Sequence, residues 1–471
     1  MARSRATCCD GFSRSEAMRA ALAGPGRPNP REWDARMPLP AGTGVDRRRF
    51  LLGAAGGMLS VYGADRLGLG GRALSEGIAE AATLQGPNSP ILVSIFLAGG
   101  IDALSLLAPT EDPAYIKLRP TLAVAPGSGT PFREDPSLSW GPAAAAFAQL
   151  HDAGKMTVFP GIGYSDPDMS HFTSRHYWEV GAADTRLMTG WLGRYLDVVG
   201  SLGNPLQGLS MDGQMNPTLA TARCPVAAID RPETFSLWLE DVWGDIFTAT
   251  LDAASSLGDA QRRSGDPAIA QVAEAASEVG IVRRALAPFR TADGGPAYTS
   301  PVTYPKAAGT DFPQRLAGLA AMIAAGLPLH CVALTPETQF DTHSAEAATF
   351  DTGLPVIAQA IAAFQADLEA RGLADRVLVH VWSEFGRRAL ENGSKGTDHG
   401  AAGVSMLIGT RTTGTMVGEW PTLTDLDVNG NQRENVDFRG VYCSLLEQWF
   451  SQDAAAVIPD ANRYARYQLI A

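Results

Sequence analysis

Several things are scarce in this sequence. Its 471 residues include only five cysteines and seven histidines, with no Cys-x-x-Cys pair and no internal repeat. Cys224, Cys331 and Cys443 are widely spaced and odd in number once Cys8 and Cys9 are set apart near the N-terminus. That excludes a disulfide framework and a thiolate zinc or redox site, although one pair among the three remains open. Basic residues are also in the minority, 38 against 50 acidic for a net charge of −12, so the electrostatic footprint of a nucleic-acid-binding protein is missing. No Gly-x-Ser-x-Gly elbow occurs, which ranks a Ser-His-Asp hydrolase behind other readings. After residue 81 no run looks long and apolar enough to cross a membrane. What the chain does have is 45% hydrophobic residues over a length that suits one large domain or two ordinary ones.

Near the N-terminus, Asp46-Arg47-Arg48-Arg49-Phe50-Leu51-Leu52 precedes a weakly apolar, Gly/Ala-rich run to about Ala64. A twin arginine followed by a short small-residue run resembles a Tat export signal and is too short for a stable span. Cleavage after Ala79-Glu80-Ala81 is expected, with Ala73-Leu74-Ser75 as a competitor, and Met37 would give a leader of ordinary length. Residues 1–81 then form the leader, and residues 82–471 form a single domain located in the periplasm or secreted. The leader holds 12 basic and 8 acidic residues, which leaves the remainder at −16.

Five short β-branched or apolar runs read as strands buried on both faces: Ile91–Leu97, Met156–Pro160, Leu329–Leu334, Val377–Trp382 and Val404–Ile408. Helical stretches at Gly141–Ala153, Ser170–Val180, Pro313–Ala325 and Pro355–Arg371 alternate with them. Strand alternating with helix predicts a three-layer α/β/α sandwich around a mostly parallel central sheet. Strand signals fade between about 231 and 308, which reads as a mainly helical insertion with a surface loop.

In such a sheet, ligands bind where loops converge at the carboxyl ends of the strands. The first strand runs into Ala98-Gly99-Gly100-Ile101-Asp102, the second leads to Ser170-His171, the third to Asp341-Thr342-His343, and the fourth directly into Ser383-Glu384. A fifth cluster, Asp398-His399, sits in a glycine-rich loop before the last run. Carboxylates and imidazoles are ligands for hard or borderline divalent cations. Asp341 and His343, two apart, would share one side of an extended segment. Each motif has a plainer alternative. Asp-Thr-His occurs in ordinary turns, Glu384 can pair with Arg387 or Arg388, Asp398 can cap its loop, and Ser170 can be a helix N-cap. Arg175 can be an anion ligand or simply a solvated helix residue. Convergence of five clusters on one sheet edge points to a site.

The order "FLAGGIDALSLLAP", "SHFTSRHYWEVG", "GWLGRYL", "FDTH", "SEFGRRALENGSKGTDHG" and "DFRGVYCSLLEQWF" resembles the domain of unknown function 1501 family over residues 90–450. That family is Tat-exported and itself resembles the alkaline phosphatase and sulfatase superfamily. The resemblance implies an alkaline-phosphatase-like fold with Asp102 as first metal ligand and Ser170 as nucleophile or nucleophile-like ligand. Asp341 and His343 would be the middle pair, Glu384 would replace a later Asp, and His399 would be the final His. One or two divalent ions (zinc, calcium or manganese) would be held. Phe385 stands where that superfamily has a His, so either the second metal site is weakened or another residue, His171 or Asp398, fills the gap. The lack of a Cys-x-Pro-x-Arg stretch leaves a formylglycine mechanism without support.

The expected function is therefore an exported metal-dependent hydrolase of phosphate or sulfate esters, with Ser170 and Arg175 acting on the anion. Its substrate would be a small anionic ester or a sulfated or phosphorylated glycan. A non-catalytic binding or assembly protein on the same fold is the alternative. Expected partners are the Tat machinery and, because such genes often lie together, a domain of unknown function 1800 protein.

Overall fold

A computed structural model of the chain describes residues 61–62, 89–201, 203–235 and 279–471. The twin arginine, the expected cleavage site and much of the expected insertion lie outside the described residues. The strands, in chain order, are β1 Val61–Tyr62, β2 Ile91–Phe96, β3 Leu107–Ala108, β4 Thr130–Pro131, β5 Ser139–Trp140, β6 Met156–Gly163, β7 Gly208–Ser210, β8 Val226–Ala228, β9 Cys331–Leu334, β10 Val377–Trp382, β11 Gly386–Glu391, β12 Thr397–Gly400, β13 Gly403–Ile408 and β14 Val436–Asp437. The helices used below are α1 Ala103–Leu106, α2 Pro113–Leu118, α3 Ala145–Asp152, α4 His171–Val180, α5 Trp191–Val199, α6 Phe312–Ala324, α7 Glu346–Ala370 and α8 Phe438–Gln448.

Nine strands form the central sheet in the order β1-β8-β7-β9-β2-β10-β13-β6-β14. β2, β10 and β13 are buried at every position, as strands covered on both faces must be. Alternate residues feed opposite cores. Ile91, Val93 and Ile95 join one in which α3, α6 and α7 pack, while Leu92 and Phe96 join another containing Trp178 of α4, Trp191 of α5 and Tyr442 of α8. The expected three-layer architecture is therefore present. Cys224, Cys331 and Cys443 are buried and free.

Within this sheet β13 runs antiparallel to both β10 and β6, and the two-residue β1 antiparallel to β8. The other neighbours are parallel. A parallel return from β10 would need a crossover helix, but the connecting residues instead form the hairpin β11–β12. The segment expected to be a glycine-rich loop is thus a separate two-stranded sheet standing on the carboxyl edge. β7 and β8, three residues each, were too short to stand out in the sequence.

α7 starts nine residues before the expected Pro355, which lies inside it. Phe350, Leu354, Ile357, Ile361, Phe364 and Leu368 keep a three- and four-residue apolar spacing through the proline, and all are buried. Each such side chain contributes roughly 1.5–3 kcal/mol, so together they outweigh the roughly 3 kcal/mol that a mid-helix proline costs. Contrary to the sequence reading, α7 is long and apolar enough to cross a membrane by length and composition. Here its apolar face packs in the first core.

Candidate metal centre

Because β2, β6, β9 and β10 run the same way, the segments leaving them meet at one edge. The chain leaving β6 starts α4 at His171. The chain leaving β9 is held to the end of β2 by a hydrogen bond from Phe340 N to Ala98 O of 2.7 Å. Gly99 permits this approach. With φ +108°, it would place a Cβ 2.3 Å from Asp341 N, a distance no side chain tolerates. His399 comes from β12, paired opposite Arg387 of β11. Arg387 is buried and fastens the three segments together, donating to Gly100 O (2.8 Å), Gly99 O, Phe340 O (3.2 Å), Thr397 O (2.7 Å) and Asp341 Oδ1 (2.8 Å).

Three imidazoles surround one carboxylate oxygen. The Nε2 atoms of His171, His343 and His399 lie 3.2, 3.1 and 3.3 Å from Asp341 Oδ1, and those of His343 and His399 are 3.0 Å apart. Each ring turns Nδ1 outward to an acceptor: Glu384 Oε1 at 2.8 Å from His171, Met169 O at 2.7 Å from His399 and Asp398 Oδ1 at 3.3 Å from His343. A carbonyl or carboxylate can only accept, so Nδ1 carries the hydrogen, and each ring, when neutral, points an Nε2 lone pair inward. His171 Nε2 is buried without an aligned hydrogen-bond partner. With all three rings neutral, the Nε2 lone pairs converge on an oxygen that accepts from Arg387 Nη2, an arrangement that can receive a cation. Ligand atoms of His171, Asp341 and His399 all lie within 4.8 Å of one another.

With no ion bound, the acidic neighbours favour a charged His171, whose Nε2–H then donates to Asp341. Burial opposes charge on His171, but its contacts with Asp341 and Glu384 outweigh it and push the ring up to about 9. Burial raises Asp341, yet the hydrogen bonds of His171, His399 and Arg387 hold it far below the usual carboxylate range. Burial keeps His343, the most exposed of the three at 44%, below the ordinary histidine value.

Of the residues singled out in the sequence, Asp341, His343, His399 and His171 are brought together. Glu384 is placed one step out. Its oxygens accept from Gly99 N (2.9 Å), Gly100 N (3.1 Å), Ser383 Oγ (3.1 Å) and His171 Nδ1 (2.8 Å), and it is 2% exposed. It therefore faces the outward Nδ1 of His171 rather than the inward cluster, as Asp398 faces that of His343. Burial works to raise Glu384, but the His171 ring lowers it below its ordinary value, so it is a carboxylate.

Asp102 is turned elsewhere. It caps α1, accepting from Ser105 N at 2.8 Å, and pairs with buried Arg119 through Nη1 and through Nη2 at 2.8 Å. Both oxygens are occupied by these donors. Arg175 is held by Glu179 at 2.9 Å and lies 4.5 Å over the Phe96 ring. Ser170 is the N-cap residue of α4, but its hydroxyl makes no capping hydrogen bond. His176 contacts Asp184 O at 3.2 Å. Phe385 packs against both His171 and His399, with ring centroids 4.9 and 4.6 Å away.

The sequence reading missed Arg119, Glu346 and the threonines beside the ligands. Glu346 lies ahead of Pro355, where the helical stretch was expected to begin, and nothing local marked it as buried.

Residues 263–440 match the family model described as Protein of unknown function (DUF1501). The DUF1501 segment contains Asp341, His343, Glu384, Asp398 and His399, whereas His171 precedes it. No curated protein matches the chain. Among solved structures, the crystal structure of Ps i-CgsB is 10% identical with TM-score 0.36, the match covering 80% of this chain and 75% of that one. PsFucS1 sulfatase from Pseudoalteromonas sp. is 10% identical with TM-score 0.34, at 84% and 77% coverage. A protein in the alkaline phosphatase superfamily from Vibrio parahaemolyticus is 9% identical with TM-score 0.30, at 83% and 76% coverage. Likenesses of this size carry no argument about the site, which rests on the chain's own side chains.

Proposed function

We propose that the protein is an exported metal-dependent hydrolase of phosphate or sulfate esters, with one divalent ion held by His171, Asp341, His343 and His399. One observation carries this reading: three inward Nε2 atoms around Asp341 Oδ1, with every outward Nδ1 given an acceptor. Ligating histidines characteristically have such outer partners. Three imidazoles and a carboxylate suit zinc or manganese, whereas calcium takes oxygen ligands. Phe385, packed on two of the rings where the superfamily resemblance implies another His, favours a single ion.

When bound, the metal would polarise the ester oxygen and lower the pKa of a water. Glu384, Asp398 and the Met169 carbonyl keep the Nδ1 protons in place, so the inward nitrogens stay available. Ser170 adjoins ligand His171 at the start of α4, where backbone N–H groups and the helix dipole favour an anion. Its hydroxyl, unused in capping, is the proposed nucleophile. Arg175 would join the anion only by leaving Glu179. That engagement favours, as a second reading, a non-catalytic binding or assembly protein. The Tat route to the periplasm, an anionic glycan ester substrate and a domain of unknown function 1800 partner belong to the same proposal.

The test is elemental analysis of protein isolated from periplasm without chelator, followed by turnover of aryl phosphate and aryl sulfate. About one equivalent of zinc or manganese with turnover lost on chelation is expected. Folded, metal-free protein that cannot be loaded would overturn the metal centre, and a loaded but inert protein would favour the second reading.

A further inference from the structure

Beneath the imidazoles lies Glu346, the first residue of α7 and fully buried. Its Oε2 accepts from Thr342 Oγ1 at 3.1 Å and from Thr397 Oγ1 at 2.5 Å, and its Oε1 accepts from Ser105 Oγ at 3.0 Å. Thr342 stands between Asp341 and His343, and Thr397 directly precedes Asp398 and His399. A single oxygen is thus bonded to both ligand-bearing segments. The backbones also meet there. Thr397 N donates to Thr342 O at 3.0 Å, Glu346 N donates to Lys395 O at 2.9 Å, and a Cβ on Gly396 would lie 2.3 Å from Thr342 O.

A carboxyl group is costly to bury, and it here accepts from two hydroxyls on different segments. A serine or threonine paired with a backbone carbonyl would satisfy either segment alone but would not join them. We propose that Glu346 is a positioning residue for the metal centre, fixing through Thr342 and Thr397 the separation between the Asp341–His343 segment and the strand that carries His399. The inference rests on the metal-centre reading above. It assigns Glu346 no contact with metal or substrate. Because Oε2 accepts whether or not a proton sits on the other oxygen, Glu346→Gln retains the joint.

The test measures the zinc dissociation constant of the full chain by competition with a chromogenic chelator, alongside the melting midpoint in EDTA. Thr342→Val, Thr397→Val and their combination cut the joint from the ligand side. Ser105→Ala cuts the bond on the far side, along with a 3.4 Å contact from Arg119 Nη1, and touches neither threonine. Outer-shell changes typically weaken metal binding 10- to 100-fold. We expect about 10-fold or more for the combined variant, less for each single one, with Ser105→Ala and Glu346→Gln at the wild-type constant and the metal-free midpoint of Thr397→Val close to wild type. A wild-type constant in all three threonine variants overturns the proposal while leaving the metal centre intact, and so does an equal loss in Ser105→Ala. A wild-type chain that binds no zinc or manganese removes the metal centre, and the inference with it.

Discussion

Two polar clusters lie side by side at the carboxyl edge of the sheet, and both contain carboxylates. In the inner one, Asp102, Arg119 and Glu346 are buried, and each charge meets its complement: Arg119 donates to Asp102 and to the carbonyls of Ala389 (3.0 Å) and Arg388 (2.9 Å). In the outer one, three imidazoles converge on Asp341, whose Oδ1 also accepts from Arg387, and His343 reaches solvent. Residue type alone does not separate a strut from a site. What separates them is whether the donors and acceptors already balance. The inner cluster is balanced and reads as structure, and the outer one, where three imidazoles crowd a single carboxylate, is the one proposed to take a cation.

This contrast can be broken most directly at Asp341. Asp341→Ala should abolish metal binding and turnover, as measured by elemental analysis and ester hydrolysis, and the metal-free fold should persist because Arg387 keeps its carbonyl partners. Retained metal would merge the two clusters into one kind. Next in size, Glu384→Ala should weaken zinc binding by about 10- to 100-fold and also lower the melting midpoint, since the Gly99 and Gly100 amides lose their acceptor at about 1–3 kcal/mol for each group. Loss of binding without loss of stability would show that the carboxylate is needed only by the imidazole.

The reverse case lies in the inner cluster. Asp102→Ala strands a buried guanidinium, and breaking such a pair costs about 3–5 kcal/mol. Denaturant unfolding should register that cost, while variant that remains folded should still bind zinc. The last prediction concerns acidity. Burial and the neighbouring Asp102 carboxylate push Glu346 up to about 8. Its folded value is raised, so its contribution is complete below the ordinary carboxylate range and is lost as pH climbs towards and through about 8. Stability of metal-free protein should decline over that interval, and Glu346→Gln, which has no proton to lose, should flatten the decline. An unchanged slope would mean that the carboxyl is not the titrating group.

Much of this arrangement could be read from the chain. Runs such as ILVSIF and VLVHVW are apolar at almost every position because both faces of the sheet are covered. Their ends therefore predicted where loops would meet, and His171, Asp341, His343 and His399 stood there. The errors came from the same source. Being at the edge told nothing about how many donors already waited, so Asp102 and Glu384 were taken for ligands. Asp102 meets an arginine 17 residues on, and Glu384 meets amides 285 residues back. Glu346 stayed hidden because Pro355 seemed to mark the start of its helix. The hairpin β11–β12 has no alternating apolar face, its burial being irregular along GRRALE, and so resembled a loop.

The ligands are drawn from the segments after β6 and β9 and from β12, and in the sheet β6 is reached only across β13. A nascent chain therefore has no complete set of ligands until its last third has been made and inserted. Capture of the proposed ion at this edge would act as a completion signal, since an ion that binds only the finished arrangement stabilises that state alone. Partly assembled chains gain nothing from the ion.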